Sequence, residues 1–294
     1  MHSANFPELP PEELQAAQMR LEVELSKFNA EKIALAFSGG VDSTLLLVLL
    51  GLRHKHGTLP QGMVAFTVST TMHPSHELKE AQDLAQSFNI PHEVLSLDEL
   101  PLIAHNPVNR CYLCKKALMG ALKQRAHELG CTVVIDGSNA DDQKQYRPGL
   151  QALTELGINS PLAAANITKA QVRGMLKELG LNIAHKPSSP CLATRFPYGT
   201  ELKAEALAQV GAAEAQLHQL GFSNVRVRAY PQARLLRLEL DPDALSRAVE
   251  YRALILPILQ RLEGYDHYTL DLEGFASGSM DKALQPATAQ PDTH

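Results

Sequence analysis

Six consecutive residues, Ser38-Gly39-Gly40-Val41-Asp42-Ser43, have the make-up of a loop that holds phosphate. Glycines let backbone amides approach phosphate oxygens, and a helix that begins directly afterwards adds unpaired N–H donors and positive dipole potential. The hydroxyls of Ser38 and Ser43 can donate to a departing pyrophosphate, while Asp42 can orient the loop or help hold Mg²⁺. The lysine of a Gly-x-x-x-x-Gly-Lys-Ser/Thr loop is missing, so this is not a site that transfers the γ-phosphate. A serine-capped glycine turn is the structural alternative. The strand before the loop and the helix after it favour phosphate.

A second signal is the pair Cys111 and Cys114, spaced C-x-x-C at or just before a helix N-terminus. There the helix dipole and the neighbouring Arg110, Lys115 and Lys116 favour thiolate over thiol. Such a pair can be redox-active, half of a zinc site, or structural. Cys191 lies far downstream, in Pro190-Cys-Leu-Ala-Thr-Arg195. Next to an ATP loop a thiolate or sulfide has a use, because an adenylated oxygen becomes a leaving group that a nucleophile must displace. Three thiolates also suffice to hold a [4Fe-4S] cluster with one iron left open for sulfide, whereas electron-transfer clusters use four. Cys131 begins a buried strand and reads as a small core residue; as a fourth ligand it would make structural zinc the competing reading.

The elements that must position these groups follow from hydrophobic period. Pro11 to Phe28 reads as an amphipathic helix with Leu14, Met19, Leu21, Val23 and Leu25 apolar. Ile33 to Phe37 is a short apolar run typical of a strand buried on both faces, followed by a helix from about Asp42 to His54. Strands at Gly62–Ser69, His92–Leu97 and Thr132–Asp136 alternate with helices at Ser75–Phe88 and Cys114–Leu129. That order predicts an α/β fold, an open parallel sheet with helices on both faces, in which ligands bind outside the carboxyl ends of the strands. Pro187–Thr200 reads as a loop. Beyond it a helix (Leu202–Leu220), strands at Asn224–Arg228 and Leu235–Glu239, a helix at Pro242–Leu262 and a strand near Tyr268–Leu272 predict a second, smaller α+β domain. The expected division is an N-terminal helix (1–30), the main domain (31–200), the smaller domain (201–280) and a Pro/Ala/Thr/Gln-rich tail (281–294) that reads as disordered.

Bulk properties narrow the function. The chain has 294 residues, 45% of them hydrophobic, and a formal charge of −5. No basic stretch stands out, which counts against nucleic acid as the substrate. Met1–Pro11 has no apolar core of a signal peptide, and the longest apolar run, Leu45–Leu50, is far too short to span a bilayer. The expectation is a cytoplasmic protein without membrane contact. The apolar stretch Leu254–Leu259 suits either the core or a subunit interface, and a homo-oligomer is expected.

Ser-Gly-Gly-x-Asp-Ser resembles the PP-loop of the N-type ATP pyrophosphatases, a likeness that implies attack of a substrate oxygen at the α-phosphate of ATP. Adenosine is then expected across the neighbouring strand ends, at Ser69 and Thr70 and at Asp136-Gly137-Ser138-Asn139, although such residues also end strands for structural reasons. The likeness extends further. Asp136-Gly-Ser-Asn-Ala-Asp-Asp142, Tyr146-Arg-Pro-Gly149, Lys186-Pro187, Cys191-Leu-Ala-Thr-Arg-Phe-Pro-Tyr-Gly199, Val225-Arg-Val-Arg228 and Ala233-Arg234 are similar to the LarE-type ATP-dependent sulfur transferases. Thr194 stands where many members have serine.

The resemblance implies a sulfurtransferase that adenylates the carboxylates of pyridinium-3,5-biscarboxylic acid mononucleotide and converts them to thiocarboxylates for the nickel-pincer cofactor. In one branch the cysteine matching Cys191 gives up its own sulfur. The other adds the C-x-x-C pair and carries a [4Fe-4S] cluster, and this chain resembles the latter, with Cys111, Cys114 and Cys191 as the implied ligands. Implied cofactors are ATP, Mg²⁺ and the cluster; implied partners are a small carboxylate and sulfide or a sulfur-donor protein. Arg195, Arg226 and Arg228 are implied anion binders, a task suited to guanidinium forks. For the last two the structural alternative is an exposed strand face. Glu214 resembles a family carboxylate near substrate or metal, or else is a solvated helix position. His73, His76 and His185 lack metal-ligand spacing, and Arg147 stays open. Two rivals remain: an amide-forming or tRNA-thiolating PP-loop enzyme, and a zinc-stabilised nucleotide-binding protein.

Overall fold

Short strands whose successive side chains point to opposite faces are buried throughout only where helices cover both faces of the sheet. The computed structural model, which describes residues 9–70, 72, 75–143, 148–185 and 191–276, has this arrangement. Two compact units divide the chain: Met1–Leu102 with Asn109–Ser189, and Ile103–Val108 with Pro190–His294.

The first unit holds four parallel strands, β1 (Ile33–Ala36), β2 (Met63–Ser69), β3 (His92–Ser96) and β4 (Val133–Ile135), in the order β3-β2-β1-β4. Parallel neighbours need crossovers, and helices supply them: α1 (Pro11–Ser26) leads in, α2 (Val41–Lys55) follows β1, α3 (Ser75–Ser87) follows β2 and α4 (Arg110–Glu128) precedes β4. After β4 come α5 (Ala140–Gln143), α6 (Pro148–Leu156), α7 (Pro161–Ala164) and α8 (Lys169–Glu178). Along β1 the alternation is direct. Ile33 and Leu35 join Leu45, Leu46 and Leu50 of α2, Ala81 of α3 and Val172 of α8 in one core. Ala34 faces the other way, into a second core with Phe66, Val134, Met119 and Leu122 of α4, and Leu153 of α6.

Several expectations are corrected. Helix α1 buries Leu14, Ala17, Leu21 and Leu25, a 3.6-residue stripe, whereas Met19 and Val23 are 65% exposed. Helix α4 begins at Arg110 and not at Cys114, so both Cys111 and Cys114 lie inside its first turns. Helices α5 to α8 fill a stretch to which the periodicity assigned nothing. Tyr146, Arg147, Lys186, Pro187 and the tail 281–294 lie outside the described residues, as does His73; nothing is described for the side chains of His76 and His185.

In the second unit, α9 (Ala204–Gln219) packs on a sheet of β5 (Val225–Tyr230), β6 (Leu235–Leu240) and β7 (His267–Leu270). β5 and β6 are antiparallel; β6 and β7 are parallel. The single helix expected over Pro242–Leu262 is instead a 3-10 turn at Pro242–Ala244, then α10 (Leu245–Glu250) and α11 (Arg252–Leu259), divided at Tyr251, whose φ and ψ of −84° and 10° leave the helical region. The second unit also starts earlier than the boundary expected at 200, and it includes the excursion Ile103–Val108.

Asn106 explains that excursion. It is fully buried at φ 45°, a left-handed backbone that asparagine tolerates better than most side chains. Its amide donates to the carbonyls of Ala193, Phe196 and Pro197 at 3.3, 2.9 and 2.9 Å. The Asn106 carbonyl in turn accepts from Gly199 N–H at 3.2 Å. Asn106→Ala leaves those carbonyls short of a donor and adds backbone strain. The expected loss of stability is about 2–4 kcal/mol in urea unfolding; an unchanged midpoint would show that this amide is dispensable.

Candidate functional site

Residues 37–40 leave the carboxyl end of β1, and α2 starts at Val41. The hydroxyls of Ser38 and Ser43 lie 3.2 Å apart, the Ser38 N–H donates to Ser43 Oγ at 3.3 Å, and the Ser43 hydroxyl donates to the Gly40 carbonyl at 3.2 Å. Both hydroxyls are thus gathered at the first turn of α2, where unpaired N–H groups attract an anion. Gly39 takes φ 68°, and a Cβ there would meet the Ala81 side chain of α3 at 3.2 Å, so the turn needs glycine. The start of the loop is tied to β2: Thr67 Oγ1 donates to the Phe37 carbonyl at 2.6 Å and accepts from His92 Nε2 at 2.8 Å. Burial holds the His92 imidazole below its ordinary pKa, which keeps it neutral at physiological pH.

The turn after β4 closes on the same place. At Gly137 a Cβ would stand 2.9 Å from the Ser43 amide nitrogen, so only glycine lets this backbone lie against α2. Buried Asp136 accepts from the hydroxyls of Ser138 and Ser160, each at 2.6 Å, and Lys115 of α4 approaches it to 3.8 Å. Asn139, also buried, donates through its amide to Asp42 Oδ1 at 3.2 Å, and its Oδ1 caps the first N–H groups of α5. Lys169, from the first turn of α8, forms an ion pair with Asp42 Oδ2. Ser69 ends β2 on this edge, half-buried, and its carbonyl accepts from Leu97 N–H at 3.2 Å. The structure therefore brings Ser38, Gly39, Gly40, Val41, Asp42, Ser43, Asp136, Gly137 and Asn139 together, with Ser69 along the same sheet edge.

The cysteines differ in environment. Cys111 is exposed and Cys114 half-buried, one turn apart at the start of α4 in the first unit; half-buried Cys191 belongs to the second. Among the described residues no three His, Cys, Asp or Glu side chains gather as a metal-ligand set. Cys131 packs in the second core, and burial raises its thiol pKa, which suits a packing role and not a ligand.

In the second unit the implied anion binders form a buried charge network. Arg195 pairs with Glu214 through two bonds of 2.8 and 2.7 Å, and reaches Thr194 Oγ1 at 2.8 Å. Glu214 Oε1 also accepts the Val227 N–H of β5 at 2.8 Å. Arg228 donates to Glu239 and to the Thr194 carbonyl, at 2.8 and 2.7 Å. Neither the exposed strand face nor the solvated helix position holds: Arg195, Arg226, Arg228, Glu214 and Glu239 are all buried. Arg226 donates to the Val225 carbonyl and stacks 5.0 Å from the Phe275 ring, and no carboxylate among the described residues pairs with it. Its pKa is pushed down to about 10, first by burial and then by the charge of Arg195, with Glu214 opposing.

A family model described as a PP-loop domain matches residues 13–146. The pyridinium-3,5-bisthiocarboxylic acid mononucleotide synthase of Lactiplantibacillus plantarum is 35% identical over 265 residues, 88% of this chain and 92% of that protein. The chain belongs to the LarE-type family of PP-loop, ATP-dependent sulfur transferases. Uncharacterised proteins of Synechocystis and Methanocaldococcus jannaschii extend the likeness, at 42% and 32% identity over 86% and 85% of this chain and 93% of each relative.

This LarE-type chain is thus an enzyme with an ATP-binding PP-loop domain, and no helix among the described residues is long and apolar enough to cross a membrane. Sequence reasoning passed over Lys169, Glu239 and Asn106. For Lys169 one signal was present: Thr168-Lys-Ala-Gln171 spells a capping box and places the lysine at a helix start. That it would pair with Asp42, far away in sequence, had no such sign. Gly137→Ala forces the turn after β4 away from the PP-loop. Overpacking of this kind costs about 1–3 kcal/mol, and the expected outcome is an ATP affinity at least about tenfold weaker with unchanged circular dichroism. Wild-type affinity in that variant would show that the close approach does not shape the site.

Proposed function

We propose that this enzyme adenylates a carboxylate of a small anionic substrate and replaces the AMP by sulfur, making a thiocarboxylate. The substrate proposed is pyridinium-3,5-biscarboxylic acid mononucleotide, in keeping with the printed name of the Lactiplantibacillus relative. The observation that carries the reading is the PP-loop itself, a glycine turn at the carboxyl edge of a parallel sheet whose serine hydroxyls gather at a helix N-terminus. A substrate carboxylate oxygen attacks the α-phosphorus of ATP, the bond to the β-phosphate oxygen breaks, and pyrophosphate leaves toward Ser38, Ser43 and the amides of residues 39–43. Asp42 would help hold Mg²⁺ with the triphosphate. Ser69, Asp136, Gly137 and Asn139 line the nucleotide's path along the sheet edge. A sulfur nucleophile then attacks the acyl carbon, and AMP departs with its electron pair.

The second unit supplies anion recognition. Three buried guanidinium groups, of Arg195, Arg226 and Arg228, face two buried carboxylates, of Glu214 and Glu239, which leaves one positive charge in excess. A buried cation is costly, and a substrate phosphate or carboxylate beside Arg226 would offset that cost and restore its pKa. Glu214 acts by holding Arg195 and the edge of β5.

For the sulfur step, Cys111 and Cys114 have the right chemistry for two ligands of a [4Fe-4S] cluster: thiols one turn apart, exposed or half-buried, at a helix N-terminus among basic residues. Cys191 is the proposed third. Bound there, the cluster would offer an open iron to sulfide from solution or from a donor protein.

Two measurements test this. Asp42→Ala is expected to lower substrate-dependent pyrophosphate release by about 100-fold or more, whereas Cys191→Ala spares pyrophosphate release and stops thiocarboxylate formation. Undiminished release from the Asp42 variant would overturn the ATP-site assignment; normal thiolation by the Cys191 variant would remove that cysteine from the sulfur step. After anaerobic purification, iron and sulfide in equal amounts, on the order of four of each per chain, are expected. One tightly held zinc, or Cys191 found as dehydroalanine after turnover, would rule the cluster out.

A further inference from the structure

The PP-loop has no lysine of its own, yet the fold delivers one to it. We propose that Lys169 is a phosphate-binding residue of this site, parked on Asp42 until ATP arrives and then transferred to the oxygens of the departing pyrophosphate. The proposal deepens the ATP-cleaving reading given above and rests on it.

The delivery is built into the backbone. Lys169 is the first residue of α8, and the capping box fixes it: Thr168 Oγ1 accepts from Gln171 N–H at 3.3 Å, and Gln171 Oε1 accepts from Thr168 N–H at 3.1 Å. The Lys169 N–H donates to Asp141 Oδ2 at 2.8 Å, which ties the same turn to α5. Behind it, Val172, Met175 and Leu176 sit in the core with Leu45, Leu46 and Leu50 of α2. The helix that carries the ammonium and the helix that opens the PP-loop are thus packed as one body.

The setting of the ammonium favours a ligand over a permanent pair. Asp42 is held on both oxygens, by Lys169 on one and by the Asn139 amide on the other. Arg173 lies four residues after Lys169 and so on the same face of α8. Burial lowers its guanidinium pKa, and the charge of Asp42 partly restores it. Lys169 and Arg173 therefore both bear on Asp42, while Asp141 holds the backbone of the same turn. A lysine ammonium held at the opening of the PP-loop helix, where unpaired N–H groups already favour an anion, suits a polyphosphate. Lys169 is about one-third exposed, so its head group is open to a ligand. When Mg·ATP enters, Asp42 can exchange the ammonium for the metal ion, and the flexible lysine stem carries its charge to the β- and γ-phosphate oxygens. A loop lysine does the same in sites of the Gly-x-x-x-x-Gly-Lys type, where it is a point charge on phosphate.

Calorimetric titration with ATP, inorganic pyrophosphate and AMP tests the assignment, because AMP lacks the phosphates that Lys169 would hold. Lys169→Met is expected to weaken ATP and pyrophosphate by about tenfold or more and to leave AMP within about twofold, with Lys169→Arg recovering most of the loss. Lys169→Gln serves where the methionine variant does not fold. Unchanged ATP and pyrophosphate affinities overturn the proposal, and so does a loss of AMP affinity in step with ATP, which marks a purely structural pair. All arms are binding measurements. A wild-type enzyme that binds ATP but releases no pyrophosphate with substrate defeats the adenylation reading and leaves the Lys169 result readable.

Discussion

The backbone at Gly137 runs so close to the first turn of α2 that no side chain fits between them, and this contact holds the ATP site together. It presses the end of β4 against the end of β1, two neighbouring strands of a parallel sheet. Everything that faces phosphate depends on that closeness. Asn139 reaches Asp42 because the β4 turn is pinned there, and α5, α7 and α8 follow from the same turn. The sheet supplies rigidity through two cores, one on each face. A loop held in this way has its donors in place before ligand arrives, which is what electrostatic stabilisation of a leaving group requires.

The second unit solves the opposite problem. Burying five charged side chains opposes folding, and ion pairs of this kind offset their desolvation only when geometry is good and spare hydrogen bonds are filled. Here they are largely filled: Glu214 takes a two-pronged Arg195 and a backbone N–H, and Glu239 takes both Arg228 and Arg237. Arg226 breaks the pattern. It is a cation kept buried at a cost, in a chain with a net charge of −5, and the proposed anion would offset that cost.

Sequence patterns revealed groups that act locally and hid those that act across space. The PP-loop was legible because its meaning lies in adjacent residues: glycines, hydroxyls, an apolar run before and a helix after. The alternation of strands and helices through β4 was legible from period alone. Glu239 was not, since on a strand of a small domain it looks like any solvated acid until Arg228 and Arg237 are placed around it. Arg226 and Arg228 share one side of β5 by alternation, as expected, but the periodicity could not say that this side is buried. Asn106 is followed by Pro107, a local sign of a turn, but nothing nearby announces that its amide holds carbonyls 87 to 91 residues away. The region of α5 to α8 lacked a strong stripe because its helices are short, two of them only four residues long.

The two thiols of α4 gain their meaning from position. Cys131 shows what a structural thiol looks like in this chain: buried, in an apolar core, with its pKa raised and its reactivity suppressed. Cys111 is exposed and Cys114 half-buried, both on the first turns of α4. The residue after Cys114 is Lys115, which approaches Asp136, and the residue after Asp136 is the Gly137 that abuts Ser43. A short chain of contacts within one unit thus links the thiol helix to the PP-loop. An acyl-adenylate is prone to hydrolysis, so an enzyme that makes one gains by placing its next reactant at the same sheet edge. On the proposed sulfur chemistry, the C-x-x-C pair at the start of α4 stands at that edge.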